Sequence, residues 1–167
     1  MYINAEVKEA DAFLWRLTGF YGESTTEKKV LLWKVLRTLN AMRHRPWLCV
    51  GDFNEVLVEG EKEGGPKRKQ VYMDSFKEAS EDCDLNDLGF EGDPFMWRNN
   101  SHTSEHYIRE RLDRVVAYGE WITRFPLYQV INGEPRHSDY LPIIVDTNSL
   151  VRRGNQGRQH VFHFEAS

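Results

Sequence analysis

Apolar and polar positions fall into blocks along this chain, and each block has the period of one kind of element. Residues 13–21, Phe-Leu-Trp-Arg-Leu-Thr-Gly-Phe-Tyr, read as a strand. Ser24-Thr25-Thr26-Glu27 follows with the pattern of a capping box, Ser24 capping and Glu27 reaching back. Leu32, Val35, Leu36 and Leu39 then lie on one helical face, which predicts a helix running to about Met42. Pro46 ends it and launches Trp47-Leu48-Cys49-Val50, a short apolar run suited to a buried strand. Strand, helix and strand in this order predict a layered α/β unit.

Further along, 59–69 is a charged, glycine-rich stretch expected to be a mobile loop. Residues 70–83 carry Val71, Met73, Phe76 and Ala79 at helical spacing. A turn is expected at Gly92-Asp93-Pro94, and 95–99 and 107–116 read as a strand pair joined by a polar loop. A short helix at 120–124 stops before Pro126. Residues 128–131 and 141–145 read as short strands, and 161–165 as a last edge strand. The polar stretches 1–11 and 147–160 are expected to be loose. No internal repeat, low-complexity tract or second domain is visible, so 1–167 reads as one domain.

Composition narrows the function classes. Apolar content of 40% and charged content of 29% suit a globular protein with a core. Five Trp, seven Tyr and nine Phe add to that core or to an aromatic surface. A net charge of −4 means the whole molecule is not a cationic nucleic-acid binder. Polyanion binding then needs a local basic patch or a metal. Lys67-Arg68-Lys69 is such a patch, although a charge run in a glycine-rich loop is ordinarily a solvated face. Cys49 and Cys83 make no disulfide framework and read as buried, inert thiols of a reducing compartment. No apolar stretch approaches the ~20 residues of a membrane span. With no signal peptide at Met1 to Asp11, the expected setting is nuclear or cytoplasmic, away from the membrane.

Candidate chemistry sits in three separated segments with one Asp each: Gly51-Asp52-Phe53-Asn54, Arg111-Leu112-Asp113-Arg114 and His137-Ser138-Asp139-Tyr140. Metal-dependent phosphodiester hydrolysis needs carboxylates that hold Mg²⁺ or Mn²⁺ through oxygen. It also needs a base for water and donors facing the phosphorus. An Asp and an Asn just past a strand end could supply a base or ligand and a phosphate donor. Plainer readings stand beside this one. Asp52 and Asn54 could simply cap a turn, and Asp113 could form a surface ion pair with its flanking arginines. His44, His102, His106, His160 and His163 show no metal-ligand spacing. Trp97 and Trp121 read as core rather than as base-stacking platforms.

At these residues the chain resembles the endonuclease/exonuclease/phosphatase superfamily, most of all the endonuclease region of plant LINE-type retrotransposons. The resemblance is carried by residues 17–22, 46–55, Asp87-Leu88-Gly89-Phe90, 110–114, Ser138-Asp139 with Pro142-Ile143, and Phe162-His163-Phe164-Glu165. It implies that Tyr21 contacts phosphate and that Asp52 acts on the nucleophilic water or the leaving group. Asn54 would bind a phosphate oxygen, Asp113 would position the catalytic histidine, and Asp139 would help hold Mg or Mn. DNA or RNA would be the partner.

Two departures stand against a working enzyme. The family's domain is longer, and its amino-terminal half supplies an Asn and a metal-binding Glu that this chain does not show. The closing Ser-Asp-His of the family reads Ser138-Asp139-Tyr140 here. Tyrosine titrates near 10 and histidine near 6.5, so Tyr140 is a poor proton acceptor at neutral pH and cannot become a cation. His137 stands three residues earlier, with its direction open.

The resemblance implies an α/β fold, half of a four-layer α/β/β/α sandwich, with a mixed, mainly antiparallel sheet and flanking helices in a single truncated domain. A half-sandwich leaves an apolar inner sheet face, which is seldom left in water. The expected remedy is a homodimer packed sheet to sheet. The expected function is a degenerate, catalytically impaired relative of Mg-dependent nucleases acting as a nucleic-acid or protein interaction module. The alternatives are an active endonuclease assembled through dimerisation and a purely structural or regulatory domain.

Overall fold

The structure, a computed structural model, describes residues 1–22, 25–42, 45–99, 101, 106–133 and 141–148. Its elements are β1 (Tyr2–Lys8), β2 (Leu14–Tyr21), α1 (Thr26–Ala41), β3 (Trp47–Asp52), β4 (Lys62–Glu63), α2 (Gln70–Asp82), β5 (Asn86–Asp87), β6 (Trp97–Arg98), β7 (Arg109–Glu110), β8 (Asp113–Ala117), α3 (Gly119–Arg124), β9 (Gln129–Asn132) and β10 (Ile143–Asp146). A 3-10 turn, Glu59–Glu61, precedes β4. The main sheet has the order β1-β2-β3-β8-β5, beside a two-stranded β10-β9 ribbon and a small β4-β7-β6 sheet. β2 and β3 pair parallel, as a helical crossover through α1 requires, and the other pairings within the three sheets are antiparallel. This is the mixed α/β architecture with flanking helices that the sequence predicts.

Two expectations are corrected. Residues 1–11 read as loose in the sequence, yet β1 pairs with β2 along its whole length, from Tyr2↔Phe20 to Lys8↔Leu14. β1 is an edge strand whose side chains are nearly all exposed, so no apolar alternation marks it; backbone bonding to β2 makes it a strand. Trp15 adds a bond from Nε1–H to Glu9 Oε1 at 2.7 Å. Residues 107–116 read as one strand paired with 95–99. They divide at Arg111 and Leu112, so that β7 joins the small sheet and β8 enters the main sheet between β3 and β5.

The stretch 59–69, expected to be a mobile loop, is cross-tied by charge. Glu63 pairs with Arg109 at 2.6 Å, Lys67 with Glu59 at 3.0 Å, and Arg68 with Glu110 at 2.7 Å. The basic run is therefore largely engaged: Lys67 and Arg68 face acids, and Lys69 lies 5.7 Å over the Tyr72 ring.

The sheet buries both faces. On one side Phe20, Trp47, Cys49, Val116 and Tyr118 meet α1 through Leu32, Trp33, Leu36 and Leu39, and α2 through Phe76 and Ala79, with Cys83 just past its end. Trp33 stacks on Phe76 with centroids 4.7 Å apart. On the other side Trp15, Leu48, Val115 and Ala117 lie under Trp121 and Phe125 with Val130 of β9. The inner face is thus partly covered by the chain's own α3 and β9–β10, with Val7, Leu17 and Val50 left half-buried. Both cysteines are free and buried, and Trp121 is core. The N-cap before α1 is Thr25, which makes no side-chain capping bond. Ser24, the 161–165 strand and residues 149–160 lie outside the described residues.

One glycine holds the sheet close where it matters. Gly51 has φ +130°, and a Cβ there would lie 2.1 Å from the Phe20 carbonyl oxygen of β2. Only glycine allows β2 and β3 to run this close immediately before Asp52. Among the described residues no helix is long and apolar enough to cross a membrane.

Candidate active site

The strand register builds the site. Tyr21 of β2 stands opposite Asp52 of β3, and Asp52 stands opposite Asp113 of β8. Residues opposite one another share a face, so the three side chains form one row across adjacent strands. Alternation assigns the face: Asp52 follows Leu48 and Val50, and Asp113 precedes Val115 and Ala117, all packed on the side away from α1 and α2. The row ends the apolar inner face at the edge where β2 and β3 finish. Tyr21 is 48% exposed, Asp52 is buried at 8%, and Asp113 is half-buried.

Asn54 closes the turn beyond β3 in the left-handed region, with φ 56°. Its N–H donates to Asp52 Oδ1 at 2.6 Å, and its Nδ2–H donates to Asp52 Oδ2 at 3.2 Å. The turn-capping reading of Asp52 is therefore geometrically true, and it coexists with a place in the row. Gly22 lets the β2 exit loop lie against this turn: a Cβ there would meet the Asp52 carbonyl oxygen at 2.6 Å and Asn54 Cβ at 3.1 Å.

Burial raises Asp52 above the usual carboxylate range, against the two Asn54 bonds and the charge of Lys29. Asp113 is pushed up to about 7, first by burial and then by the charge of Asp52. The repulsion between the two acids is what a cation between them would relieve. Mg²⁺ commonly uses one or two protein carboxylates and keeps water for the rest, so Asp52 and Asp113 fit that hard oxygen chemistry. Among the described residues no group of three or more His, Cys, Asp or Glu is arranged to hold a metal. Asp139, Tyr140 and His137 lie outside the described residues, as do His44, His102, His160 and His163.

The sequence profile of the Endonuclease/Exonuclease/phosphatase family matches residues 3–135. The chain belongs to this family. Among solved structures it is similar to the endonuclease domain of TRAS1, a telomere-specific non-LTR retrotransposon. That match has TM-score 0.67 and 15% identity, and covers 87% of this chain and 62% of that one. It is also similar to a 3'-5' exonuclease of Neisseria meningitidis, with TM-score 0.61, 15% identity, and 80% and 61% coverage. A third match is a Staphylococcus aureus beta toxin with bound magnesium ions, with TM-score 0.51, 10% identity, and 88% and 54% coverage. At these identities the likeness is one of fold. No curated protein matches this sequence. The chain spans about three-fifths of the length of the first structures it matches.

Within this family member, the arginines flanking Asp113 pair with other acids, which corrects the reading of Asp113 as their ion-pair partner. Alternation along β8 turns Arg114 to the helix side, where it pairs with Asp87 at 2.6 Å and with Glu61. Arg111 pairs with the same two acids, at 2.9 Å and 2.8 Å. Burial alone would raise Glu61 and Asp87, but the two guanidinium groups outweigh it and hold both below the usual carboxylate range. The ring binds the 3-10 turn, β5 and β8 together under the site. Glu61, Asp87 and the buried Glu55 escaped the sequence reading as parts of this framework. Asp87 sits in a recognised motif, but no local pattern reveals which arginines it meets.

Proposed function

We propose that this chain is a nucleic-acid-binding relative of the family's nucleases, of the plant LINE kind, with an impaired hydrolytic step. The observation that carries the reading is the in-register row Tyr21, Asp52 and Asp113 with Asn54 beside it. Tyr21 offers a hydroxyl and Asn54 an amide to phosphate oxygens, while Asp52 and Asp113 provide the carboxylates. A bound Mg²⁺ or Mn²⁺ would add Lewis-acid charge at the phosphate. Impairment follows from Tyr140, because a phenol that titrates near 10 neither accepts a proton at neutral pH nor carries positive charge.

The test is nicking of supercoiled plasmid in Mg²⁺ and in Mn²⁺ by the wild type, Asp52→Ala, Tyr140→His and the combined variant. No nicking by the wild type is expected, with a gain in Tyr140→His that Asp52→Ala removes. The wild type should still bind DNA, with affinity falling as salt rises. Nicking by the wild type that Asp52→Ala abolishes would overturn impairment. A second reading, a working metal-dependent nuclease completed in a dimer, is favoured by Asp52 and Asp113 standing opposite one another across β3 and β8, a pair of oxygen ligands suited to a divalent cation.

The homodimer belongs to this proposal. Val7, Leu17 and Val50 leave an apolar strip on the inner face beside α3, suited to a second copy. Light scattering at micromolar protein is expected to return twice the chain mass, and a monodisperse monomer would refute the dimer.

A further inference from the structure

We infer that Lys29 and Glu55, acting as one buried ion pair, are positioning residues that set the Asn54 turn against Tyr21. The inference rests on reading the Tyr21–Asp52–Asp113 row as a phosphodiester site. Lys29 Nζ lies 2.8 Å from Glu55 Oε2, and the two side chains are 8% and 1% exposed. Lys29 stands in the first turn of α1, where its N–H bonds the Thr25 carbonyl. It therefore belongs to the segment that leaves β2 at Tyr21 and Gly22. Glu55 directly follows Asn54 in the segment that leaves β3. The pair thus joins α1, the helix that follows β2 and its terminal Tyr21, to the turn that carries Asn54.

The geometry shows why the loops need joining. Asn54 sits at positive φ, which asparagine tolerates, and its bonds to Asp52 fix the turn locally, so what packs behind Glu55 sets where that turn lies. Glu55 anchors the turn from behind: its other oxygen, Oε1, accepts the Val56 N–H at 3.1 Å and lies 3.9 Å from Arg68 Nε. Arg68 and Lys62 in turn hold Glu110. The Asn54 turn is therefore braced on one side by α1 and on the other by the 59–69 stretch. At Gly22 the two loops touch so closely that a methyl group would not fit. A buried carboxylate that lost its cation would move toward water or take up a proton, and either response would disturb the residue next to it.

The experiment follows amide hydrogen exchange at Asn54 and Val56 by NMR, with the core amides of β3 and β8 as internal controls, and affinity for a short DNA duplex. The wild type, Lys29→Met, Lys29→Arg and the Lys29→Met/Glu55→Met pair are compared. Lys29→Met is expected to speed exchange at Asn54 and Val56 roughly tenfold or more relative to the β3 and β8 amides. It should weaken duplex affinity by about 10–100-fold, taking the range typical for residues behind metal ligands as the scale, and Lys29→Arg should restore both. The double variant replaces the charges with apolar volume, a change often tolerated in buried sites. It should fold and show the same local loss, so it decides the matter if Lys29→Met is unfolded. Equal acceleration of all amides, or a folded double variant with Asn54 exchange unchanged, overturns the positioning role. If the wild type binds no duplex, the functional reading falls, and the exchange data still decide the clamp.

Discussion

Arg114→Met is expected to lower the unfolding free energy by about 3–5 kcal/mol at pH 7, the cost of removing one partner from a buried ionic group. Arg114 is 1% exposed as a residue, pairs with Glu61 and Asp87, and lies with its guanidinium 5.6 Å from the Phe76 ring centre. Methionine can replace its packing but not its charge, which leaves two carboxylates to share Arg111. That loss is a large fraction of the ~5–15 kcal/mol that holds a typical domain together. The pH dependence carries a sign. Glu61 and Asp87 are held below their ordinary range, so their stabilisation is present above their unfolded values, near 4. It is lost as pH falls through the lower folded values. Urea unfolding should therefore show the largest gap between wild type and variant at neutral pH, closing well below pH 4. A gap under ~1 kcal/mol at pH 7 would show that the ring contributes little net energy.

Asp113→Asn is expected to act in the opposite direction and to stabilise the protein at pH 8 in chelator-containing buffer. The folded Asp113 titrates at about 7, above its unfolded value near 4, because burial and the charge of Asp52 both disfavour its ionised form. A raised carboxyl favours folding while it is protonated, and the benefit is lost as pH rises through 7. Above that point the wild type holds two repelling carboxylates, whereas Asn carries no charge. The predicted gain is on the order of 2–4 kcal/mol at pH 8, shrinking to nothing below about pH 4. Thermal unfolding across that range would check it, and equal melting temperatures at pH 8 would place Asp113 in a far wetter setting than its position implies. If nicking gained in Tyr140→His also needs Asp113, the more stable variant would be the inactive one. Functional sites commonly show this exchange of stability for activity.

Much of the scaffold could be read from local pattern. The β2–α1–β3 unit, α2 and α3 appeared at nearly their observed bounds, because an apolar period and its breakers act over a few residues. β1 did not, since an edge strand asks for backbone partners rather than apolar side chains. The division of 107–116 was also hidden, because the break at Arg111 and Leu112 goes with ion pairs from Arg111 to Glu61 and Asp87, partners distant in sequence. For the same reason the 59–69 stretch, flexible in composition, is tied down by acids and bases distant in sequence.

The candidate site divides along the same line. The sequence by itself determined which groups are available: Tyr21, Asp52, Asn54 and Asp113 at strand ends, and a tyrosine at 140. Only the tertiary structure decided that three of them form one row. The pairing register of β2, β3 and β8 is a long-range choice that no single segment contains. It also decided the electrostatics. Whether an Asp beside two arginines is neutralised by them depends on which face of the strand each occupies. In β8 Arg114 faces the helices while Asp113 faces Asp52, and Arg111 pairs with Glu61 and Asp87 instead, so a residue that reads as an ion pair along the chain becomes a carboxyl pushed up to about 7.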